Sequence, residues 1–243
     1  EMLYLRKRYR EAVAEYQRIS GRESTVEFWW LAQYKQAWTY YQLSDYEEAV
    51  AGFANILNQL DLKSEISSLD DMLLAAPKDR KELLRDAVRG MSRAFSKYPS
   101  SDDINTYFSR DDSQNYFPLI YRGLAAIFSE EKRYTDAAHV YESFASLHPQ
   151  HELAQGFSEQ AVKSYQDGGF EELAVAGQEQ YIASYGPESA VWLGGTLSNS
   201  HKSLVRQYMG EVVKFRHAAA QTLADSEPEN ARPQFSEVAD KYL

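Results

Sequence analysis

Apolar and small residues recur along this chain at steps of three, four and three positions. Within residues 133–150 the series is Tyr134, Ala137, Tyr141 and Phe144. The same spacing occurs twice upstream, at Tyr46, Ala49, Phe53 and Ile56 and at Tyr9, Ala12, Tyr16 and Ile19. Such steps place the side chains on one face of an α-helix, with an alanine where another helix comes close. The pattern predicts three amphipathic helices of related sequence.

A second helical pattern precedes two of these series. The stretches are FWWLAQYKQAWTYYQLS, before Tyr46, and PLIYRGLAAIFSEEK, before Tyr134. In the latter, Leu124 and Phe128 belong to an apolar stripe, and Ala125 leaves room for a neighbouring helix. The repeating unit is therefore predicted to be a pair of antiparallel helices.

This arrangement resembles the tetratricopeptide repeat family. The family pattern places aromatic, leucine and small residues on helix A, and tyrosine, alanine, aromatic and a final proline on helix B. Residues 118–151 match it nearly throughout, and Pro149 occupies the position of the final proline. Residues 30–63 also match, but Gln36 occupies a leucine position and no proline closes the unit.

Residues 154–187 look like a degenerate copy of the repeat. In our alignment Leu173 and Gly177 replace the alanine and the aromatic residue of helix B. The step from Tyr134 to Phe170 is then 36 residues, slightly longer than the family period of about 34. The residues that fall where the pattern expects them are Phe157, Ala161, Gly168 and Phe170.

The resemblance implies an all-α fold, a tetratricopeptide-like α-solenoid in which antiparallel helix pairs stack into a superhelix. We predict a single solenoid segment over residues 1–243. Residues 61–78 are predicted to be an insert or loop, because Ser, Asp and Pro interrupt their periodicity. Both ends lack helix caps, so we expect an excerpt of a longer protein. The predicted repeat-like units are about 1–24, 28–60, 79–110 (divergent), 118–151, 152–186, 187–225 (divergent) and 231–243 (truncated).

In the tetratricopeptide family a concave groove is lined by helix A residues that point away from helix B. The resemblance therefore implies a row of partner-binding residues: Leu31, Tyr34, Trp38, Tyr41, Gln42, Arg122, Ser129, Ser158 and Tyr165. Tyrosine and tryptophan supply large, stiff contact areas at interfaces. A second interpretation stays open, in which Tyr34, Trp38 and Tyr41 pack against a neighbouring unit, because aromatic stripes at helical spacing are often core.

Composition and charge limit the class of partner. The 243 residues are 44% hydrophobic and 26% charged, as in folded proteins, and they contain no cysteine for disulfides or thiolate sites. The formal net charge of −10, without a long run of Lys or Arg, argues against nucleic acid as a partner. The apolar runs are too short to cross a bilayer, so we predict no membrane insertion of this segment.

Sequence motifs for catalysis or metal binding are weak. No G-x-S-x-G, phosphate loop or dinucleotide fingerprint occurs. His148 and His151 lie beside Glu152, but Pro149 places them in a predicted turn rather than on one rigid element, which disfavours zinc. Adjacent aspartates lack the ligand spacing of a calcium loop. We predict neither enzyme activity nor a metal or cofactor for this segment.

The combined pattern predicts an interaction scaffold that binds another protein or a peptide in the groove. The order of its parts resembles large bacterial cell-envelope proteins built from such repeats, which implies a periplasmic or outer-membrane-associated location, with the cytoplasm as the alternative. A second hypothesis is a regulatory or substrate-presenting segment of a larger enzyme or of a secretion or polysaccharide-export machine. A third is an architectural spacer whose groove is filled by residues 61–117.

Overall fold

The computed structural model describes residues 1–20, 26–59, 68–100, 102–108, 115–195, 198–226, 233 and 235–236. All regular secondary structure in these ranges is helical. The chain divides into two compact units, Glu1–His148 and Pro149–Leu243. The predicted all-α, tetratricopeptide-like architecture is confirmed by consecutive helices that pack on one another.

Unit 1 is built from helices, and short turns join some of them in pairs. Its first half contains α1 (Met2–Leu5), α2 (Tyr9–Ser20), α3 (Val26–Gln42) and α4 (Tyr46–Asn58). Its second half contains α5 (Leu69–Ala75), a 3₁₀ turn (Lys78–Arg80), α6 (Lys81–Phe95), α7 (Asp103–Phe108), α8 (Phe117–Glu130) and α9 (Tyr134–Leu147). Short turns join α1 to α2, α3 to α4 and α8 to α9. Helix α3 packs on α2 and α4, α4 packs on α6, and α6 packs on α8.

Small residues allow the helices of unit 1 to approach closely. At the α3–α4 contact, a Cβ added to Gly52 would lie 2.8 Å from the Cβ of Ala37. At the α4–α6 contact, a Cβ added to Gly90 would lie 2.6 and 2.7 Å from Cε1 and Cε2 of Phe53. The Phe53 ring is fully buried and lies against the bare backbone of α6. These positions therefore require glycine for packing, not for backbone conformation.

A glycine also allows the close contact between α6 and α8. The Ser92 hydroxyl occupies the space that a side chain at Gly123 would need. This hydroxyl donates a hydrogen bond to the Val88 carbonyl oxygen, 3.0 Å away, and is therefore satisfied although it is buried. In α8 and α9, Ala125 and Ala137 are completely buried, as the spacing pattern predicts.

Four turns share one backbone geometry. In each turn, the residue two positions before the start of a helix has a positive φ. These residues are Lys7, Ser44, Lys132 and Gly169. In each turn the next backbone N–H donates to the carbonyl oxygen five residues earlier, in the pairs Arg8–Leu3, Asp45–Tyr40, Arg133–Phe128 and Phe170–Tyr165. Such bonds satisfy carbonyls at the end of the first helix and reverse the chain into the second.

The turn geometry corrects the sequence alignment of the degenerate copy by one residue. Glu171, not Phe170, begins the second helix and is equivalent to Tyr134. The step is therefore 37 residues, the same as from Tyr9 to Tyr46. In this register Ala174 takes the place of Ala137, and its 4% exposure fits a helix contact. The alignment that placed Leu173 in the alanine position was wrong, because Phe170 belongs to the turn.

Unit 2 contains α10 (Ala154–Asp167), α11 (Glu171–Tyr185), α12 (Ala190–Leu193) and α13 (Asn199–Ser226). Helix α11 packs on both α10 and α13. The core of the unit is a cluster of Val162, Tyr181, Tyr185, Val205 and Tyr208. Arg216 donates two hydrogen bonds to the Glu179 carboxylate, at 3.0 and 2.8 Å, and ties α13 to α11.

The segment between the two clear repeats is partly helical. Helix α5 lies within the predicted insert 61–78, whose residues 61–67 lie outside the described ranges. The predicted divergent unit 79–110 contains α6 and the short α7, and Phe108 of α7 lies 5.9 Å from Tyr121 between ring centres. Most of the predicted truncated unit 231–243 also lies outside the described residues. The proposed division into repeat-like units stays a prediction.

Candidate binding groove

Three aromatic side chains of the predicted groove row form a ladder on α3. The ring centres of Tyr34 and Trp38 are 6.4 Å apart, and those of Trp38 and Tyr41 are 5.5 Å apart, all in edge-to-face arrangements. All three side chains are partly buried. Leu31, one turn earlier, is 50% exposed, and Gln42 at the end of the helix is exposed. The row therefore presents apolar and aromatic surface to solvent.

The aromatic ladder is also anchored to the core. The Trp38 ring lies 5.2 Å from the ring of Phe53 between centroids, again edge to face. Trp38 thus fits both the groove and the core interpretation, because one part of its ring packs against α4 while the rest stays accessible. The contact with Phe53 restricts the conformations available to the Trp38 side chain.

A hydrogen bond joins the ladder to α6. The Tyr34 hydroxyl donates to Oδ2 of Asp86 at 3.1 Å. Burial, together with the Asp86 charge, raises the pKa of Tyr34, while the positive charge of Arg89 opposes this rise. The aromatic row of α3 and the charged surface of α6 are therefore adjacent. The spacer hypothesis fills the groove with residues 61–117, and the described part of that range contributes α6 to this surface.

A groove of about 690 Å³ lies in unit 2, and a groove of about 660 Å³ lies between α6 and α8 in unit 1. The unit 1 groove includes Arg122, one of the predicted row, and Ala126, both on α8. It also includes a face of α6 that the sequence alignment missed, because the divergent unit lacks the family spacing. The α6 residues in its lining are Arg85, Val88, Arg89, Ser92 and Arg93.

Other predicted residues contribute less surface. Ser129 of α8 is partly buried, and its hydroxyl donates to the Ala125 carbonyl oxygen at 2.9 Å. Ser158 of α10 is partly buried and bonds in the same way to the Ala154 carbonyl oxygen at 3.2 Å. Each hydroxyl donates its proton inside its own helix, so it can offer a partner only its acceptor lone pairs.

Tyr165 occupies a core position rather than the surface of α10. It is 8% exposed, and in the corrected register it is equivalent to Phe128, which is 2% exposed. The 37-residue step moves the groove-facing positions of this copy by one residue, to Gly156, Glu159, Lys163 and Gln166. Lys163 and Gln166 are exposed. Partner contact at any of these positions remains a prediction.

The two histidines of the HPQHE stretch have separate surroundings. The His148 ring packs 4.8 Å from the Phe117 ring in unit 1. In unit 2, Nδ1 of His151 accepts a hydrogen bond from the Leu153 backbone N–H at 3.1 Å. Within the described part of the chain, no three side chains of His, Asp or Glu come together as a metal site would require. No helix among the described residues combines the length and apolarity of a membrane span.

Comparison with known families gives one match, which covers part of unit 1. A family model described as tetratricopeptide repeat matches residues 31–59, which contain most of α3 and all of α4. Residues 31–59 are similar to the tetratricopeptide repeat. The match covers the helix pair whose first helix carries the aromatic ladder, and it confirms the family resemblance. No curated protein and no solved structure matches the chain. The tetratricopeptide repeat supports a general role in protein–protein interaction.

Proposed function

We propose that this chain is a scaffold that binds a partner protein along the surface formed by α3, α6 and α8. The observation that carries the proposal is the continuity of exposed Leu31, the anchored aromatic ladder and the α6–α8 groove within unit 1. The tetratricopeptide match at residues 31–59 supports the same surface, because it includes most of α3, and the family resemblance implies that the first helix of each pair lines the groove.

The physical basis is the stacking of helix pairs. A single pair cannot bury its apolar face, so each pair packs on the next and the first helices form a continuous row. Such a row suits an extended or helical segment of another protein. Tyrosine and tryptophan side chains lose little conformational entropy on binding, and here Trp38 and Phe53 already hold each other in place. We propose a binding role without chemistry of its own in these residues.

Site-specific photocrosslinking in cells of the source organism tests this function. A photoreactive amino acid is placed at Leu31 or Ala126, which lie on the proposed surface, and at Ala51 or Asn55 as controls. All four residues are exposed, and both controls lie on α4. We expect one partner to be captured from positions 31 and 126 and not from 51 and 55. Capture through α4 alone, or no adduct from either groove position, would refute the proposal.

The compartment is a separate proposal. We propose a periplasmic or outer-membrane-associated location, and its support is the resemblance of the order of elements to bacterial cell-envelope repeat proteins. Cell fractionation with an antibody against this chain tests it. Recovery with the periplasmic or outer-membrane fraction is expected, whereas recovery with the cytoplasmic fraction would favour the alternative.

A further inference from the structure

Four arginines surround the groove between α6 and α8. Arg85, Arg89 and Arg93 follow one another at steps of four on α6, so they lie on one face of that helix. Arg122 of α8 lines the same groove from the other side. One acidic residue, Glu130, accompanies them in the lining. This local excess of positive charge occurs in a chain whose formal net charge is −10.

Two of these arginines are available for a ligand. Arg85 pairs with Glu82 one turn earlier. Among the described residues, Arg89 and Arg93 have no carboxylate within ion-pair distance, and both side chains are exposed. The neighbouring acidic residue of α6, Asp86, accepts the hydrogen bond of Tyr34. Unpaired guanidinium groups that line a groove offer planar donors suited to carboxylates.

The floor of the groove is apolar. Val88 of α6 and Leu119 of α8 are buried side chains of its lining, and Ala126 and Ile127 of α8 add further apolar surface. A polyanion without apolar groups would leave this floor uncovered. A peptide that alternates acidic and aliphatic side chains would satisfy both the arginines and the floor. The acidic chain as a whole also repels a long polyanion, which favours a short acidic segment over nucleic acid.

We propose that the α6–α8 groove binds an acidic segment of the partner protein, with Asp or Glu side chains facing Arg89 and Arg93 and aliphatic side chains on the apolar floor. This inference rests on the proposed scaffold function and specifies the chemistry of the partner. The position of Arg89 beside Tyr34 makes the aromatic ladder of α3 the natural continuation of the peptide path.

Fluorescence anisotropy with defined peptides tests the inference. The probes are fluorescein-labelled peptides as long as α8, with glutamate and leucine either alternating or at helical spacing. Matched peptides carry lysine in place of glutamate, and a single-stranded oligonucleotide of similar charge is the competing polyanion. We expect the glutamate peptides to bind, the lysine peptides not to bind, and affinity to fall as salt is raised from about 0.05 to 0.5 M.

A pair of double variants with the same net charge assigns the binding to the groove. Arg89→Gln with Arg93→Gln removes two groove charges, whereas Arg6→Gln with Arg10→Gln removes two exposed charges elsewhere in unit 1. We expect the first to weaken binding of the glutamate peptides about fourfold to twentyfold and the second to change it less than twofold. Circular dichroism of both variants checks that they are folded.

Three outcomes would overturn the inference. They are equal binding of glutamate and lysine peptides, equal effects of the two double variants, and tighter Arg89-dependent binding of the oligonucleotide. None of these contradicts capture of a partner from Leu31 and Ala126 by photocrosslinking. Failure of the acidic-segment inference is therefore distinguishable from failure of the scaffold proposal.

Discussion

Replacement of Gly90 by alanine should destabilise unit 1, although alanine is the better helix former. The glycine lies inside α6, where backbone entropy alone favours alanine by about 0.5–1 kcal/mol. The added Cβ, however, would lie 2.6 and 2.7 Å from two carbons of the Phe53 ring and still closer to Cζ. These separations are far below van der Waals contact, so either the ring or α6 must move.

The magnitude follows from how little the ring can yield. Phe53 is fully buried, and its other neighbours include the Trp38 ring at 5.2 Å between centroids. Overpacking of such a core costs about 1–3 kcal/mol. Because the added Cβ would clash with three atoms of the Phe53 ring, we expect Gly90→Ala to lie at the upper end of this range. After the gain in helix propensity is subtracted, we expect a net loss of about 2 kcal/mol in the free energy of unfolding.

Urea denaturation followed by tryptophan fluorescence measures this loss. Trp29, Trp30 and Trp38 report on unit 1, and Trp192 reports on unit 2. Circular dichroism in the far ultraviolet follows helix content and provides a second probe. Coincidence of its transition with that of the fluorescence would show that unfolding is two-state. Variants that retain Trp192 alone, or the other three alone, separate the two signals.

The matched control is the same substitution at a glycine with free space. Gly210 lies inside α13, is exposed, and would have no atom within 4 Å of an added Cβ. Gly210→Ala should therefore stabilise unit 2 by about 0.5–1 kcal/mol. If Gly90→Ala also stabilises its unit, the close contact between Phe53 and α6 is not formed, and our account of helix packing fails. The double variant Gly90→Ala with Phe53→Leu should be about 1 kcal/mol more stable than the sum of the two single losses predicts.

Three further predictions concern helix contacts, turns and buried tyrosines. Ala125→Leu and Ala137→Leu should each cost about 1–3 kcal/mol in urea denaturation, because both alanines are completely buried; stability like that of the wild type would contradict the helix contacts. Lys132→Gly should stabilise unit 1 by about 0.5–1 kcal/mol, because Lys132 has a φ of 60°; a loss in thermal unfolding would argue against that turn. Burial raises the pKa of Tyr208 to about 12, whereas the unfolded chain releases this proton near pH 10. The contribution of the protonated Tyr208 to the free energy of unfolding is full below about pH 10 and should be lost as pH rises towards 12. In a pH series of urea unfolding, Tyr208→Phe should reduce this loss of stability at high pH.

The amino-acid sequence by itself determined the helices and their pairing. The recurrent tyrosine and alanine spacing placed the apolar faces of α4 and α9 correctly, because a helix has a fixed period and its buried face must be apolar. The spacing also identified the small residues Ala125 and Ala137 at helix contacts. Local pattern sufficed here because each helix pair makes most of its contacts with its immediate neighbours.

The tertiary structure decided the register of the degenerate copy. Phe170 and Glu171 both suit the start of a helix, and the sequence pattern selected the aromatic residue. The left-handed conformation of Gly169 and the hydrogen bond from Phe170 to the Tyr165 carbonyl show that the turn extends one residue further. A shift of one residue rotates a helix by about 100°, so it exchanges surface and core positions, and Tyr165 is consequently buried.

The arginine face of α6 also needed the tertiary structure. Its sequence showed an amphipathic helix with Arg85, Arg89 and Arg93 on the polar side, which is ordinary for any exposed helix. Only the packing of α6 against α8 brings Arg122 opposite these residues and places an apolar floor in the same groove. The helix period is a local property that a sequence records, whereas the neighbour of an exposed face depends on contacts between residues far apart in the chain.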